Sequence, residues 1–329
     1  MNRPLLSITI PTWNRASILE IALSQLLPQL TEFKDFIELI ISDNCSTDNT
    51  SEVINSHKLK FQSLNIIHFT QKQNTGYYGN FKKCKELANG HFFWLLSDNE
   101  FINNGLIATV INILKNNEDI SSLHLADWEN YIDEKSFKNV NYRWEKVSNT
   151  DLITTAGYKL TLISAVIFKN CKSNDELIFE KFKGNSFLGF VLFLDSLSIN
   201  NKSILLYSNS LISKYSKVSF NVFDSFTKDM KKCVDYGLEK NILNNKTEET
   251  LMNSIIDNLT KNHYTTYRIK GTLYGINVGP TELLNNNLKT YLNKYSGYHT
   301  SLLPLINSSR IEIVFMYYLK KNYKKLKFS

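Results

Sequence analysis

The chain has 329 residues, 43% of them hydrophobic, with a formal net charge of +7 and an isoelectric point near 9.0. Such a length supports a substantial core and excludes a small stapled scaffold, in keeping with Cys45, Cys84, Cys171 and Cys233, which show no CxxC pairing or zinc-finger spacing. No uncharged apolar run reaches the ~18 residues of a membrane span, and no nucleic-acid-binding module accompanies the basic charge, so a soluble protein with no nucleic-acid partner is expected.

Met1-Asn2-Arg3-Pro4 leads straight into the apolar run Leu5 to Ile10, without the long apolar core of a signal peptide. The protein is therefore expected to stay in the cytoplasm. Asn14 to Leu30 follows, with Ile18, Leu19, Ala22, Leu23 and Leu26 on one helical face, and Phe36 to Ile41 reads as a second strand. A helix from about Thr47, a strand at Leu64 to Phe69, a helix from Gly76 to Ala88 and a strand at His91 to Leu96 continue the alternation. This punctuation predicts an α/β fold with a Rossmann-like, doubly wound and mostly parallel sheet. Ligands of such sheets bind beyond the carboxyl ends of the strands.

Polar clusters stand at those ends: Pro11-Thr12-Trp13-Asn14-Arg15, Ser42-Asp43-Asn44-Cys45-Ser46-Thr47-Asp48, Asn74-Thr75-Gly76 and Ser97-Asp98-Asn99-Glu100. Trp13 offers a flat face for a nucleobase, and Asp43 a carboxylate acceptor for a base imide or a ribose hydroxyl. Taken singly, a Trp after a strand is usually packing and an Asp before a helix usually a cap. The last cluster weighs most, because the apolar Trp94-Leu95-Leu96 drives straight into two carboxylates. Asp98 and Glu100 are hard oxygen ligands of the kind that hold Mg²⁺ or Mn²⁺ against a diphosphate.

The order ITIPTWNR, ELIISDNCSTDNT, QNTGYYGN and FFWLLSDNE resembles the nucleotide-binding half of the family 2 glycosyltransferases, inverting enzymes with the GT-A fold. The resemblance covers about residues 4 to 115 and is nearest in style to the abequosyl- and rhamnosyltransferase-like members that build bacterial surface polysaccharides, O-antigen among them. It implies that Pro11 and Thr12 shape the first loop, Trp13 stacks on the donor base, and Arg15 belongs to the same donor-binding set. It implies further that Asp43 contacts base or ribose, that Asp48 is structural, and that Asn74 and Gly76 line the nucleotide site. Asp98 and Glu100 match the first and last positions of the DxD motif that binds the metal and, through it, the donor diphosphate. Glu100 departs from the usual Asp, keeping the charge with a longer reach.

An inverting transfer needs a general base for the acceptor hydroxyl. Many family members carry it in an acidic pair before a helix, after a strand resembling Leu162 to Phe168, but here that stretch reads Phe182-Lys183-Gly184-Asn185-Ser186-Phe187. The candidates are Asp127 after the strand-like Leu123 to Ala126, then Glu180, then Asp195. The six histidines are scattered without ligand spacing.

The expected organisation is a GT-A domain over residues 1–220, with a donor half at 1–115 and an acceptor half at 116–220, and a mainly helical region at 221–329. Phe223 to Leu238 and Glu248 to Leu259 read as helices there. The chain closes on Lys320, Lys321, Lys324, Lys325 and Lys327 beside Ile311, Val314, Phe315, Tyr318, Leu319 and Tyr323, a pattern suited to an anionic membrane surface or to packing with a solvated lysine face. The resemblance implies a saccharide acceptor on a lipid carrier such as a polyprenyl diphosphate, and hence a peripheral position on the inner face of the cell membrane. Two rivals stand beside the enzyme: a sugar nucleotidyltransferase, although Leu5 to Arg15 lacks the glycines of a phosphate loop, and a non-catalytic sugar-nucleotide or glycan-binding protein.

Overall fold

The computed structural model describes residues 3–130, 140–213, 221–270, 272–273, 281–314 and 316. Strand β1 (Leu6–Thr12) runs parallel between β2 (Ile37–Asp43) and β4 (Phe92–Leu95), and β3 (Asn65–Thr70) runs parallel to β2 at the sheet edge. Register sets the level of everything that follows. Thr12 lies opposite Asp43 and Asp43 opposite Thr70, while the β1–β4 offset brings Asp98 level with Thr12.

Beyond β4 the sheet turns mixed. Strands β5 (Glu100–Ile102), β6 (Ser122–Asn130), β7 (Arg143–Val147), β8 (Val166–Lys169) and β9 (Ser203–Ser213) complete the order β3-β2-β1-β4-β8-β6-β9-β5, with β7 also on β9. β8 is antiparallel to both β4 and β6, so β6 runs in the same direction as β4 and also ends at the carboxyl edge. The strand expected over His91 to Leu96 stops at Leu95, and Glu100 starts a new strand against β9. Asp98 thus occupies a loop between two strands.

Helices α1 (Ala16–Leu30), α2 (Thr50–Lys60), α3 (Gly76–Leu87) and α4 (Leu106–Lys115) belong to this half; α5 (Asn149–Ala156), α6 (Asp175–Lys181) and α7 (Leu188–Leu197) follow. Leu19, Leu23, Leu26, Leu27 and Leu30 of α1 join Val110, Ile111 and Leu114 of α4 against Leu6, Ile8 and Ile10. That is helical spacing meeting the two-residue period of a strand. On the other sheet face Phe93 lies 6.2 Å from Phe81 of α3 and 5.4 Å from Phe168 of β8, ring centroid to ring centroid. Alternate residues of β4 therefore serve two separate layers, as a doubly wound sheet requires.

The chain divides into two compact units, Met1–Ser216 and Lys217–Ser329. In the second, a capping box of Asn244 and Thr247 starts the helix Asn245–Asn258, three residues before the expected Glu248. Glu248 instead is buried and accepts from Tyr295 Oη at 2.7 Å and Lys294 Nζ at 2.6 Å. The helix expected at Phe223 to Leu238 is interrupted by a π-helical stretch at Ser225–Asp229. No described helix is long and apolar enough to cross a membrane. Lys320, Lys321, Lys324, Lys325 and Lys327 lie outside the described residues.

Candidate functional site

Four strand ends converge on Thr12, Asp43, Asn74 and Asp98, and short polar side chains lace the loops together. Thr12 Oγ1 donates to Asp98 Oδ2 at 2.9 Å, and Arg15 Nη1 lies 3.4 Å from Asp98 Oδ1. Asp98 is buried, and burial pushes its carboxyl above the usual aspartate range, against the opposing pull of Arg15 and Thr12. Glu100 is also raised: burial acts first, the charge of Asp98 adds to it, and a hydrogen bond from Ser164 opposes it. Two carboxyls thus repel one another in a site that solvates neither well.

The first loop turns because Asn14 adopts a left-handed conformation (φ 51°), which Asn tolerates better than most residues. Its amide N–H donates to Ser46 Oγ at 2.8 Å and its Oδ1 accepts from Thr47 N at 2.7 Å, fixing the first loop to the second. Trp13, half exposed, is thereby held at the rim with its ring accessible. Asp48 Oδ2 accepts from Ala16 N and Oδ1 from Thr50 N, both at 3.1 Å, so one carboxylate secures the starts of α1 and α2.

Asn44 performs the same task between the second and third loops. Its Oδ1 accepts from Thr75 N at 2.9 Å and its Nδ2 donates to Asn74 Oδ1 at 2.9 Å. Asn74 Oδ1 also accepts from Gly76 N at 2.8 Å, closing a turn in which Gly76 has φ +70°, a value that would strain a residue with a Cβ. Beneath, Asn80 of α3 accepts from Ser42 Oγ at 2.6 Å and donates to Ser42 O at 3.0 Å, sealing the helix to the end of β2. Asp43 is fully buried, and its Oδ1 accepts from Ser46 N at 3.0 Å.

The donor-side residues Pro11, Thr12, Trp13, Arg15, Asp43, Asn74, Gly76 and Asp98 therefore share one edge, with Glu100 immediately past it. The base candidates do not share a common place. Asp127 lies in β6 beyond the last β8 pair, between two register shifts against β9, toward the carboxyl edge; its side chain lies outside the described residues. Glu180 is exposed near the end of α6, next to Phe179, whose carbonyl accepts from Tyr78 Oη at 2.6 Å.

Asp195 requires a correction. It is buried on α7 and accepts from Asn174 Nδ2 at 3.1 and 3.3 Å. Next to Asn174, Asp175 receives the buried Lys85 Nζ at 2.7 Å, and Lys85 also donates to Asn170 Oδ1 at 2.8 Å. Asn170 N donates to His91 O, and His91 N to Pro4 O, which sets this network at the amino edge of β1 and β4. Asp195 is at the wrong end of the sheet to touch an acceptor, its charge satisfied structurally.

Asn14 and Asn44 stand in the polar clusters of the sequence without an assigned role, and Asn80 and Ser164 stand outside them. Only Asn14 and Asn44 carried a signal, an Asn directly after a strand where loops turn sharply. Nothing in the order of residues linked Ser164 to a loop some 65 positions earlier.

Residues 7–169 match the sequence profile of Glycosyl transferase family 2. Over 116 residues the chain is 34% identical to an abequosyltransferase of Salmonella typhimurium, a match covering 35% of this chain and 34% of that protein. It is likewise 34% identical over 109 residues to the GalNAc(5)-diNAcBac-PP-undecaprenol beta-1,3-glucosyltransferase of Campylobacter jejuni, covering 33% of this chain and 34% of that one. The matched segment thus spans about a third of the length of these relatives. Among solved structures, S. aureus TarS 1-349 in complex with UDP-GlcNAc superposes with a TM-score of 0.59 at 15% identity, over 88% of this chain and 82% of that one. A likeness at such low identity concerns the fold, and it extends over both the parallel and the mixed halves of the sheet. Over residues 7–169 the chain is therefore similar to glycosyl transferase family 2, and it shares the GT-A fold.

Proposed function

We propose that the protein is an inverting glycosyltransferase that moves a sugar from a nucleotide-sugar donor to a saccharide acceptor in the synthesis of a surface polysaccharide. The observation that carries this reading is the buried Asp98 carboxylate, joined to Thr12 and Arg15 where four strand ends meet. Trp13 would stack on the nucleobase and Asp43 would face base or ribose, with Asn74 and Gly76 forming the neighbouring wall. Arg15, already beside Asp98, is within reach of an anion bound there.

Asp98 and Glu100 suit a divalent cation of the Mg²⁺ or Mn²⁺ type. Both carboxyls are raised by burial and Asp98 raises its neighbour, a repulsion that a cation between them relieves. Among the described residues no group of three His, Cys, Asp or Glu is gathered for a metal. Two carboxylates with the remaining ligands drawn from phosphate and water match the habits of Mg²⁺ in nucleotide sites. When bound, such a cation stabilises the departing diphosphate as a Lewis acid. For the base we keep Asp127, whose backbone lies toward the carboxyl edge of β6, ahead of Glu180.

The Campylobacter relative is named for a undecaprenol-diphosphate-linked acceptor. We take the acceptor here to be a saccharide on a polyprenyl diphosphate, met at the inner membrane face with help from the basic C-terminal segment. The reading is tested by screening purified protein with UDP-, dTDP-, GDP- and CDP-sugars, with and without Mn²⁺, for diphosphate release and thermal stabilisation. Metal-dependent response to one donor, lost in Asp98→Ala, is expected. A donor that stabilises without ever turning over, even with acceptor saccharides present, would favour a binding protein.

A further inference from the structure

The acidic loop Ser97–Asn99 leaves the sheet after β4, and its conformation is fixed from the acceptor half of the domain. Ser164, buried in the turn before β8, bonds both the end of β4 and the start of this loop. Its carbonyl accepts from Trp94 Nε1 at 2.8 Å and its Oγ accepts from Ser97 N at 2.9 Å, while the hydroxyl opposes the upward push of burial on the Glu100 carboxyl. Behind the turn, α7 approaches so closely that a Cβ on Gly189 would fall 1.6 Å from Ile163 Cδ1. The Ile163–Ala165 turn is thus clamped between α7 and the loop, and Ser164 fixes the first residue of the acidic segment while leaving Asp98 to Thr12 and Arg15.

We propose that Ser164 is the positioning residue for the metal and donor-diphosphate site, holding the Ser97 backbone so that Asp98 and Glu100, on the segment it starts, face one cation. This rests on the donor-site reading above. A hydroxyl suits the task, because its oxygen accepts from Ser97 N while its proton remains to be offered to a carboxylate. Without it the part-buried Ser97 N–H loses its partner and the acidic loop is no longer pinned to the turn before β8. The loop then samples arrangements in which the two carboxylates do not converge, and binding that needs both weakens by the fraction lost.

The test is a Mn²⁺ titration of the full chain in saturating UDP, or whichever diphosphate the donor screen selects, followed by thermal shift, with donor KM and kcat measured alongside. For Ser164→Ala we expect the Mn²⁺ midpoint and the donor KM to rise at least tenfold and kcat to change less than threefold. Ser164→Thr, which keeps the hydroxyl, should return within threefold of wild type. If the alanine variant does not fold, Ser164→Cys, with similar shape and a weaker donor, carries the same expectation of a raised midpoint. A Ser164→Ala midpoint equal to that of a responsive wild type would overturn the inference and leave the donor reading intact. Wild-type protein unresponsive to Mn²⁺ with every nucleotide would overturn both.

Discussion

Asp98 illustrates how a functional carboxylate can oppose the fold that holds it. Burial disfavours its charge and Arg15 restores only part of the loss, so its removal should spare the apo protein while destroying the site. Asp98→Ala is accordingly expected to keep an apo Tm no lower than wild type and to lose all Mn²⁺-dependent stabilisation by donor, both read in one thermal-shift experiment. Trp13 makes the complementary case. Base stacking on an aromatic is worth about 1–3 kcal/mol, so Trp13→Ala should raise donor KM by roughly 5- to 150-fold, with secondary structure unchanged by circular dichroism. A KM within twofold of wild type would place the base elsewhere.

The strand-end loops act as a sewn set, and their stitches were only partly readable from the chain. The apolar runs of β1, β2 and β4 and the stripe on α1 announced the parallel sheet, because periodicity is a local property. The clusters Thr12-Trp13, Asp43, Asn74 and Asp98 were legible for the same reason: each stands at or a few residues past a strand end, and parallel topology collects strand ends at one edge. What joins them was hidden. Asn44 meets Asn74 and Thr75, and Ser164 meets Ser97, only through tertiary geometry, and the Asp195 reading failed because α7 delivers that residue to the opposite edge. Asp48 is the stitch with the clearest energetic signature. Burial would raise its carboxyl, but hydrogen bonds from Thr50 and Ala16 outweigh it and leave the pKa below the ordinary aspartate value. An acid depressed on folding stabilises above its unfolded pKa, and that contribution disappears as pH falls through the depressed folded value. Asp48→Ala should therefore cost about 1 kcal/mol in urea denaturation at neutral pH, and the difference from wild type should vanish under strongly acidic conditions.

For the molecule as a whole, the net charge of +7 and the lysines near its end bear on where it works. Deletion of residues 310–329 should reduce co-sedimentation with anionic liposomes at low salt, and moderate salt should reduce it in the intact chain, since screening acts over about 10 Å at 0.1 M. Equal binding by both forms would detach the tail from any membrane role. The tryptophans give the molecule a built-in optical readout. Trp94 is fully enclosed with its indole N–H bonded to Ser164, whereas Trp13 and Trp144 are 50% and 43% exposed. Iodide should consequently quench a red-shifted fraction of the fluorescence and leave a blue-shifted fraction untouched. A nucleotide lying on Trp13 would shield part of the quenchable emission while Trp144 continued to respond, so occupancy of the donor site can be followed by light alone, without label or turnover.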